Sequence, residues 1–364
     1  LKLLFTYFVP SGGVETLNRH RARALRRIGI ESHLLYLWRG AGEQNLINSD
    51  IPYLVTNDDR QIAELLAMHR YDAVIASCDH LMLERIRGNG YAGPILYDAQ
   101  GLGSRETAAS TLQKAAPFIR RYARAIISPQ TSHLMELFNR LYPDLPRFYL
   151  HNPFDAARFH YRSVAETTQG GAPVAAWIGR LEGNKNGELY LRICAELSRR
   201  VPDLRLWVFL DATIGDKKEA LRFRERAEQL KLSSRMMRLS NVPHADMPDY
   251  LSAIGDSGGF LLSTSGTEGF GYAVAEAMSC RCPVVATDSD GVRMMIEDGR
   301  TGLFFRSGTA SEGASQSLRL LEDRALASFI REEAYRRITT TFHPDRYCAD
   351  MANVLRALGV MPPG

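Results

Sequence analysis

Short apolar runs alternate with longer segments of helical period along almost the whole chain. The first set of runs predicts strands at Leu1–Val9, Ser32–Trp38, Ala73–Ser77, Pro94–Asp98, Ala125–Ser128 and Phe148–His151. Between them, Glu15–Ile28, Asp59–Met68 and Ser132–Leu141 repeat apolar residues at helical spacing. The pattern then restarts, with strands predicted at Val174–Ile178, Leu204–Phe209, Met236–Leu239, Gly259–Ser263, Val284–Thr287 and Gly302–Phe305. Helices are predicted at Gly187–Arg200, Lys217–Leu230, Met247–Ile254 and Tyr272–Cys280. Strands strung between helices need crossover connections, and right-handed crossovers give parallel sheets covered by helices on both faces.

Two such runs predict an α/β chain of two Rossmann-like domains, residues 1–155 and 156–343. A last helix, Pro344–Leu358, lies within a segment (344–364) expected to pack back on the first domain. The boundary falls between Asn152 and Pro173, where Glu166-Thr-Thr-Gln-Gly-Gly-Ala-Pro173 is polar and unpatterned, as a linker is. Ligands of open α/β sheets sit at the carboxyl ends of the strands, so the expected site is a cleft where two sheets face each other.

Composition narrows this picture without redirecting it. At 364 residues and 45% hydrophobic content the chain is long enough for two cores. The net charge of +4 demands no nucleic acid. Residues 1–165 hold 20 Lys and Arg against 15 Asp and Glu, and the remainder 25 against 26, so the basic excess lies in the first half. Arg19, Arg21, Arg23, Arg26 and Arg27 crowd one early helix and read as a solvated face. With Arg120, Arg121 and Arg124 they also suit an anionic acceptor or peripheral contact with the inner face of a membrane. Five cysteines make no disulfide framework, and Cys280-Arg-Cys282 reads as helix-end packing. No segment reaches the ~18 apolar residues of a membrane span and no leader cleavage site is evident, so a reduced, cytoplasmic setting is expected.

Four strand-to-helix junctions carry unusual residues. Thr264-Ser-Gly-Thr-Glu-Gly-Phe-Gly-Tyr-Ala-Val-Ala-Glu-Ala-Met278 puts Glu268 in a glycine-rich turn and Glu276 eight residues on, inside a helix. Such a turn offers backbone N–H groups and a helix N-terminus to an anion, and the two carboxylates suit hydroxyl groups beside it. Trp177-Ile-Gly-Arg-Leu-Glu-Gly-Asn-Lys-Asn-Gly187 places Arg180 and Lys185 after the first strand of the second domain. Cations at a helix start oppose its dipole, which a bound anion would offset. Pro10-Ser-Gly-Gly-Val-Glu15 is a glycine-rich first turn, with Gly12 and Gly13 permitting close backbone approach and Glu15 opening a helix. Alone it is equally a plain turn, since it lacks G-x-G-x-x-G spacing and a Walker lysine. Asp288-Ser-Asp290 has the composition of a metal-binding pair but, followed by Gly291, reads better as a turn with Asx hydrogen bonds. Asp98 and Gln100 end a first-domain strand and are placed as sugar or acceptor contacts. The nine histidines form no metal cluster and no catalytic triad.

Taken together, these segments resemble the family-4 (group 1) glycosyltransferases of the GT-B fold. Pro10-x-Gly-Gly-x-Glu15, His151-Asn-Pro-Phe-Asp155 with Phe159, Gly179-Arg-Leu with Lys185, Glu268 to Glu276, and Pro283-Val-Val-Ala-Thr-Asp288 follow the family's order of motifs. The resemblance implies a retaining hexosyltransferase that works without a metal or cofactor, its donor a nucleotide diphosphate sugar, first of all UDP-glucose. Arg180 and Lys185 would bind the diphosphate, with Gly13 and its neighbour Gly12 approaching it from the first domain and Gly179 from the second. Glu276 would bind the ribose and Glu268 the hexose, and backbone N–H groups along Gly269, Phe270, Gly271 and Tyr272 would reach sugar and phosphates. Arg180, Lys185 and Glu268 would carry the catalysis, the leaving phosphate itself taking the proton of the acceptor hydroxyl. The acceptor implied is a carbohydrate or lipid-linked sugar of bacterial polysaccharide or glycoconjugate synthesis.

Three departures stand out. Gln100 occupies the place of a usual cleft histidine, Pro153-Phe154 replaces a glycine, and Asp290-Gly-Val-Arg-Met294 replaces Gly-Gly-x-Pro-Glu. Two other readings stay open. A sugar-nucleotide epimerase on the same architecture would use Asp98 or Glu268 as a base, and a non-catalytic subunit would bind nucleotide-sugar only. The sequence names neither the base, the hexose, the acceptor nor the oligomeric state.

Overall fold

The computed structural model describes residues 1–47, 49–163, 171–211 and 215–362. Most of the expected linker 166–173 therefore lies outside the described residues. The chain divides into two compact units, Leu1–Phe154 with Phe342–Gly364, and Asp155–Thr341.

Unit 1 holds seven strands, β1 (Lys2–Tyr7), β2 (Glu31–Tyr36), β3 (Tyr53–Val55), β4 (Ala73–Ser77), β5 (Ile95–Asp98), β6 (Ala125–Ser128) and β7 (Arg147–Tyr149). All pairings are parallel, in the order β3-β2-β1-β4-β5-β6-β7. Its helices are α1 (Gly12–Arg26), α2 (Gln44–Ile47), α3 (Asp59–His69), α4 (His80–Gly88), α5 (Arg105–Tyr122) and α6 (Ser132–Leu141). Central strands such as Leu3-Leu4-Phe5 are buried on both faces, which is why they read as continuous apolar runs. On one face Leu4, Val74 and Tyr97 pack with Ile62, Met82, Leu112 and Phe138.

Unit 2 repeats the plan with β8 (Val174–Ile178), β9 (Arg205–Leu210), β10 (Met236–Ser240), β11 (Phe260–Ser263), β12 (Val284–Thr287) and β13 (Leu303–Phe305). They form a parallel sheet in the order β10-β9-β8-β11-β12-β13. Its helices are α7 (Gly187–Arg200), α8 (Lys217–Gln229), α9 (Met247–Asp256), α10 (Tyr272–Ser279), α11 (Ala310–Glu322) and α12 (Arg324–Thr341). Trp177, Leu206 and Leu262 on the sheet meet Ile193, Phe223 and Ile330 on the helices. The chain then returns to unit 1 as α13 (Pro344–Ala357), whose Tyr347, Met351 and Leu355 join Leu3, Phe5, Leu25 and Ile75 in the second unit 1 core. Among the described residues no helix is long and apolar enough to cross a membrane.

Packing of α13 against α1 corrects one expectation. Of the arginines expected on a solvated face, Arg26 and Arg27 are exposed, but Arg19 and Arg21 are not. Arg19 and Arg21 are buried, paired with Glu15 and Asp98. Arg26 and Arg27 reach the carboxylates of Asp50 and Asp345. The middle of α1, covered on one side by the sheet and on another by α13, has little surface to give to solvent. The helix also begins at Gly12 and not at Glu15, so Gly12 and Gly13 form its first turn.

Candidate active site

In each sheet the strand order reverses beside the first strand, between β1 and β4 in unit 1 and between β8 and β11 in unit 2. Loops leaving the carboxyl ends of two such neighbours run in opposite directions and open a crevice. In unit 2 these are the loops 179–186 and 264–271, which brings together residues 83 positions apart in sequence. Gly179 follows β8, its N–H bonded to the Phe209 carbonyl at 3.1 Å. Asn184 then stitches the two loops. Its carbonyl accepts from Gly266 N–H at 2.9 Å, its side-chain oxygen from Thr267 N–H at 3.1 Å, and its amide donates to the Thr267 carbonyl at 2.9 Å. Underneath, the buried indole of Trp177 donates to Thr264 Oγ1 at 3.0 Å, and that hydroxyl donates to the Lys185 carbonyl at 2.9 Å.

On this floor Lys185 Nζ lies 2.5 Å from Glu268 Oε1, with the two side chains 22% and 15% exposed. Arg180, 36% exposed, contacts Glu182 at 3.2 Å. Gly271 takes a left-handed φ of +88° and caps α10, so the chain turns directly from the Glu268 loop into the helix. Its carbonyl receives the Val274 and Ala275 N–H groups, while Phe270 and Tyr272 bury their rings edge to face at 4.9 Å. The head of α10 thus meets the crevice with its backbone N–H end. Gly269 sits between Glu268 and this turn, against the loop after β12. A Cβ on Gly291 would meet the Glu268 carbonyl oxygen at 2.3 Å, so only glycine lets the two loops lie so close.

Glu276 projects from α10, nearly buried, and is held by a residue that sequence reasoning missed. His244, in the loop between β10 and α9, places Nε2 2.8 Å from Glu276 Oε1. Asn184, Trp177 and Thr264 were missed for the same reason, since nothing in a linear pattern says which loops will touch. The Asp288-Ser-Asp290 turn is clamped by Arg293, which donates to both oxygens of Asp288 at 2.5 and 2.8 Å. Those hydrogen bonds hold the Asp288 carboxyl below its ordinary range. Among the described residues no group of three or more His, Cys, Asp or Glu is placed to hold a metal ion.

The crevice of unit 1 is built differently. Glu15 lies inside, paired with Arg19 at 2.5 Å. Asp98 is fully buried, and both its oxygens are engaged. It accepts from Arg21 at 2.6 and 3.2 Å, from Ser77 Oγ at 2.8 Å and from Gln100 Nε2 at 2.6 Å. The expected sugar contact at Asp98 is thus an internal anchor, because four donors already surround a carboxylate that reaches no surface. Gln100 is half-buried, with Oε1 accepting from Asn152 Nδ2 at 2.9 Å. Burial also pushes the Cys78 thiol beside it up to about 12, so no thiolate forms there. Cys280 and Cys282 are buried free thiols just beyond α10.

Two parallel-sheet α/β units, one with its cations and carboxylates gathered at the switch point, define the GT-B class of glycosyltransferase architecture. Residues 163–337 match the model of the glycosyl transferases group 1. A relative, the alpha-D-kanosaminyltransferase of Streptomyces kanamyceticus, is 31% identical over 162 residues, which is 44% of this chain and 40% of that protein. The D-inositol 3-phosphate glycosyltransferase of Corynebacterium aurimucosum is 32% identical over 151 residues, 41% of this chain and 35% of that one. The chain thus matches well under half the length of these curated relatives. In structure, Anabaena Alr3699/HepE in complex with UDP and glucose superposes with a TM-score of 0.82 at 21% identity, covering 98% of this chain and 100% of that one. Sucrose-phosphate synthase from Thermosynechococcus elongatus gives 0.78 at 16% identity, covering 98% and 99%.

Proposed function

We propose that the protein is a retaining glycosyltransferase that moves a hexose from a nucleotide diphosphate sugar to an acceptor hydroxyl, with UDP-glucose the first donor to test. The observation that carries this reading is the 2.5 Å contact between Lys185 and Glu268 at the switch point of unit 2, with Arg180 nearby in the same loop. A cation suits a phosphate oxygen and a carboxylate suits sugar hydroxyls. In a nucleotide sugar these two groups are joined through the anomeric carbon. Relatives named for sugar transfer and a structural neighbour in complex with UDP and glucose support the donor class.

In this reading Arg180 and Lys185 stabilise the diphosphate as the bond from C1 to its oxygen breaks and negative charge grows. The acceptor oxygen forms the new bond to C1 from the same face, and its proton passes to the departing phosphate oxygen. Glu268 orients the hexose and Glu276 the ribose. Gln100, half-buried, remains the candidate of unit 1 for a sugar or acceptor hydroxyl, and a carbohydrate or lipid-linked acceptor is the class proposed. No metal or further cofactor enters this scheme. The epimerase alternative loses a candidate base, because Asp98 is buried and saturated.

A screen of UDP- and GDP-sugars, reading released nucleotide with and without acceptors, tests the reading. Arg180→Ala is expected to lower turnover by about 100- to 1000-fold. Glu276→Ala is expected to weaken nucleotide binding by about 10- to 100-fold in calorimetry. Wild-type affinity and turnover in both variants would remove these residues from the site.

A further inference from the structure

Resting on the reading of Glu276 as the ribose ligand, the geometry points to His244 as a positioning residue that, through Glu276, makes the site select ribonucleotides over 2′-deoxyribonucleotides. A glutamate carboxylate hangs on a flexible stem, and its two oxygens match a ribose diol only in a narrow range of orientations. Something must hold it. The ionised carboxylate only accepts hydrogen bonds, so the 2.8 Å contact requires the proton to sit on His244 Nε2. One lobe of the Glu276 carboxylate is thereby fixed and the rest is aimed.

His244 is itself fixed by the motif that opens unit 2. Its ring lies 4.7 Å from that of Phe159, inclined by 36°. Phe159 is buried, its N–H bonded to the Asp155 carbonyl at 3.1 Å. Its own carbonyl accepts from Ser279 Oγ at 2.5 Å. Ser279 stands on α10, three residues beyond Glu276. The supports thus close on themselves: α10 holds Phe159, Phe159 seats the His244 ring, and His244 holds the carboxylate that α10 carries. This gives Phe159 and one of the nine histidines a role that no other part of the scheme uses. Partners outside the first contact commonly tune a ligand group by ~10- to 100-fold at metal sites, and the same reasoning applies to a carboxylate that must meet two hydroxyls.

The test is a mutant cycle between His244 and the ribose 2′-hydroxyl, measured by calorimetry on the full chain. The probes are UDP against 2′-deoxy-UDP and GDP against 2′-deoxy-GDP, using whichever pair the wild-type protein binds. The wild type is expected to favour the ribonucleotide by about 10-fold or more. His244→Phe keeps a ring against Phe159 but loses the N–H, and the preference should fall below about 3-fold. His244→Gln returns an N–H near the same place and should restore most of it. His244→Leu serves if the Phe variant does not fold. A preference unchanged in the Phe or Leu variant overturns the inference. So does an equal loss of affinity for both nucleotides, which would make His244 a packing residue only. Failure of the underlying reading looks different: Glu276→Ala then binds as tightly as wild type, or the wild type binds neither pair.

Discussion

The carboxyl ends of the strands in unit 1 and unit 2 carry similar side chains in opposite conditions. In unit 1, Glu15, Arg19, Arg21 and Asp98 are committed to one another and buried, Arg21 and Asp98 at 1% and 0% exposure. In unit 2, Arg180, Lys185 and Glu268 are also in ion pairs, yet each keeps part of its surface. Having a partner therefore does not distinguish a structural charge from a functional one. The distinction lies in whether a ligand can compete for the contact. A charge pair in the interior has its solvation replaced by fixed donors and acceptors, and nothing from outside can exchange for them. A pair that keeps part of its surface contributes less to the fold and can be traded for a phosphate or a hydroxyl.

Breaking the buried pair should give the largest effect. Asp98→Ala leaves the Arg21 guanidinium inside unit 1 between the rings of Phe5 and Tyr347, with its counter-charge gone. Loss of about 3–5 kcal/mol is expected in urea unfolding, against under about 1 kcal/mol for Lys185→Ala. Similar stabilities of the two variants would collapse the contrast between the units. A double replacement of Arg21 and Asp98 by apolar residues should recover much of the loss, since the cost is mainly the stranded charge.

Glu268→Gln sharpens the comparison from the other side. It removes a carboxylate next to Lys185 without changing shape, so affinity for UDP is expected to hold or rise by a few-fold. Turnover should fall by about 10- to 100-fold, because a neutral amide grips sugar hydroxyls less well than a carboxylate. Parallel losses in affinity and turnover would mean that Glu268 supports the loop and does not hold the sugar.

Much of this was legible in the sequence; the missed elements have local causes, and the misread site residues share a long-range one. Strands buried on both faces announce themselves, and Ala73–Ser77, Ala125–Ser128, Val174–Ile178 and Val284–Thr287 coincide with β4, β6, β8 and β12. The edge strand Tyr53–Val55, half-buried and three residues long, left no run to read. Helix α5 was hidden by its interior Pro117, and α12 by a weakly segregated apolar face. The charged residues of the second unit were found because glycines and cations stood together in short strings. Arg21 was misread as solvated because what buries it, Asp98 and the ring of Tyr347, lies 77 and 326 positions away. His244 was passed over for the same reason: its meaning rests on Glu276 and Phe159, each in a different segment. Periodicity reports which face of an element is buried, and it is silent on which elements meet.

The smallest expected effect comes from a pair that belongs to neither extreme. Asp288 and Arg293 sit at the carboxyl end of β12, joined by two hydrogen bonds, but are 38% and 57% exposed. If exposure decides what a strand-end charge is worth to the fold, this well-formed pair should contribute less than about 1 kcal/mol. Its pH dependence has a definite sign. Arg293, through those hydrogen bonds, holds the folded-state carboxyl of Asp288 below its ordinary value. The contribution is therefore fully present above the unfolded value of about 3.9 and is lost as pH falls through the lower folded one. Arg293→Ala should cost a fraction of a kcal/mol in urea unfolding at pH 7, and the difference from wild type should shrink as pH falls below the unfolded value of Asp288. A loss approaching that of Asp98→Ala would show that hydrogen-bond geometry outweighs burial at these strand ends, and the contrast between the two units would have to be redrawn on that basis.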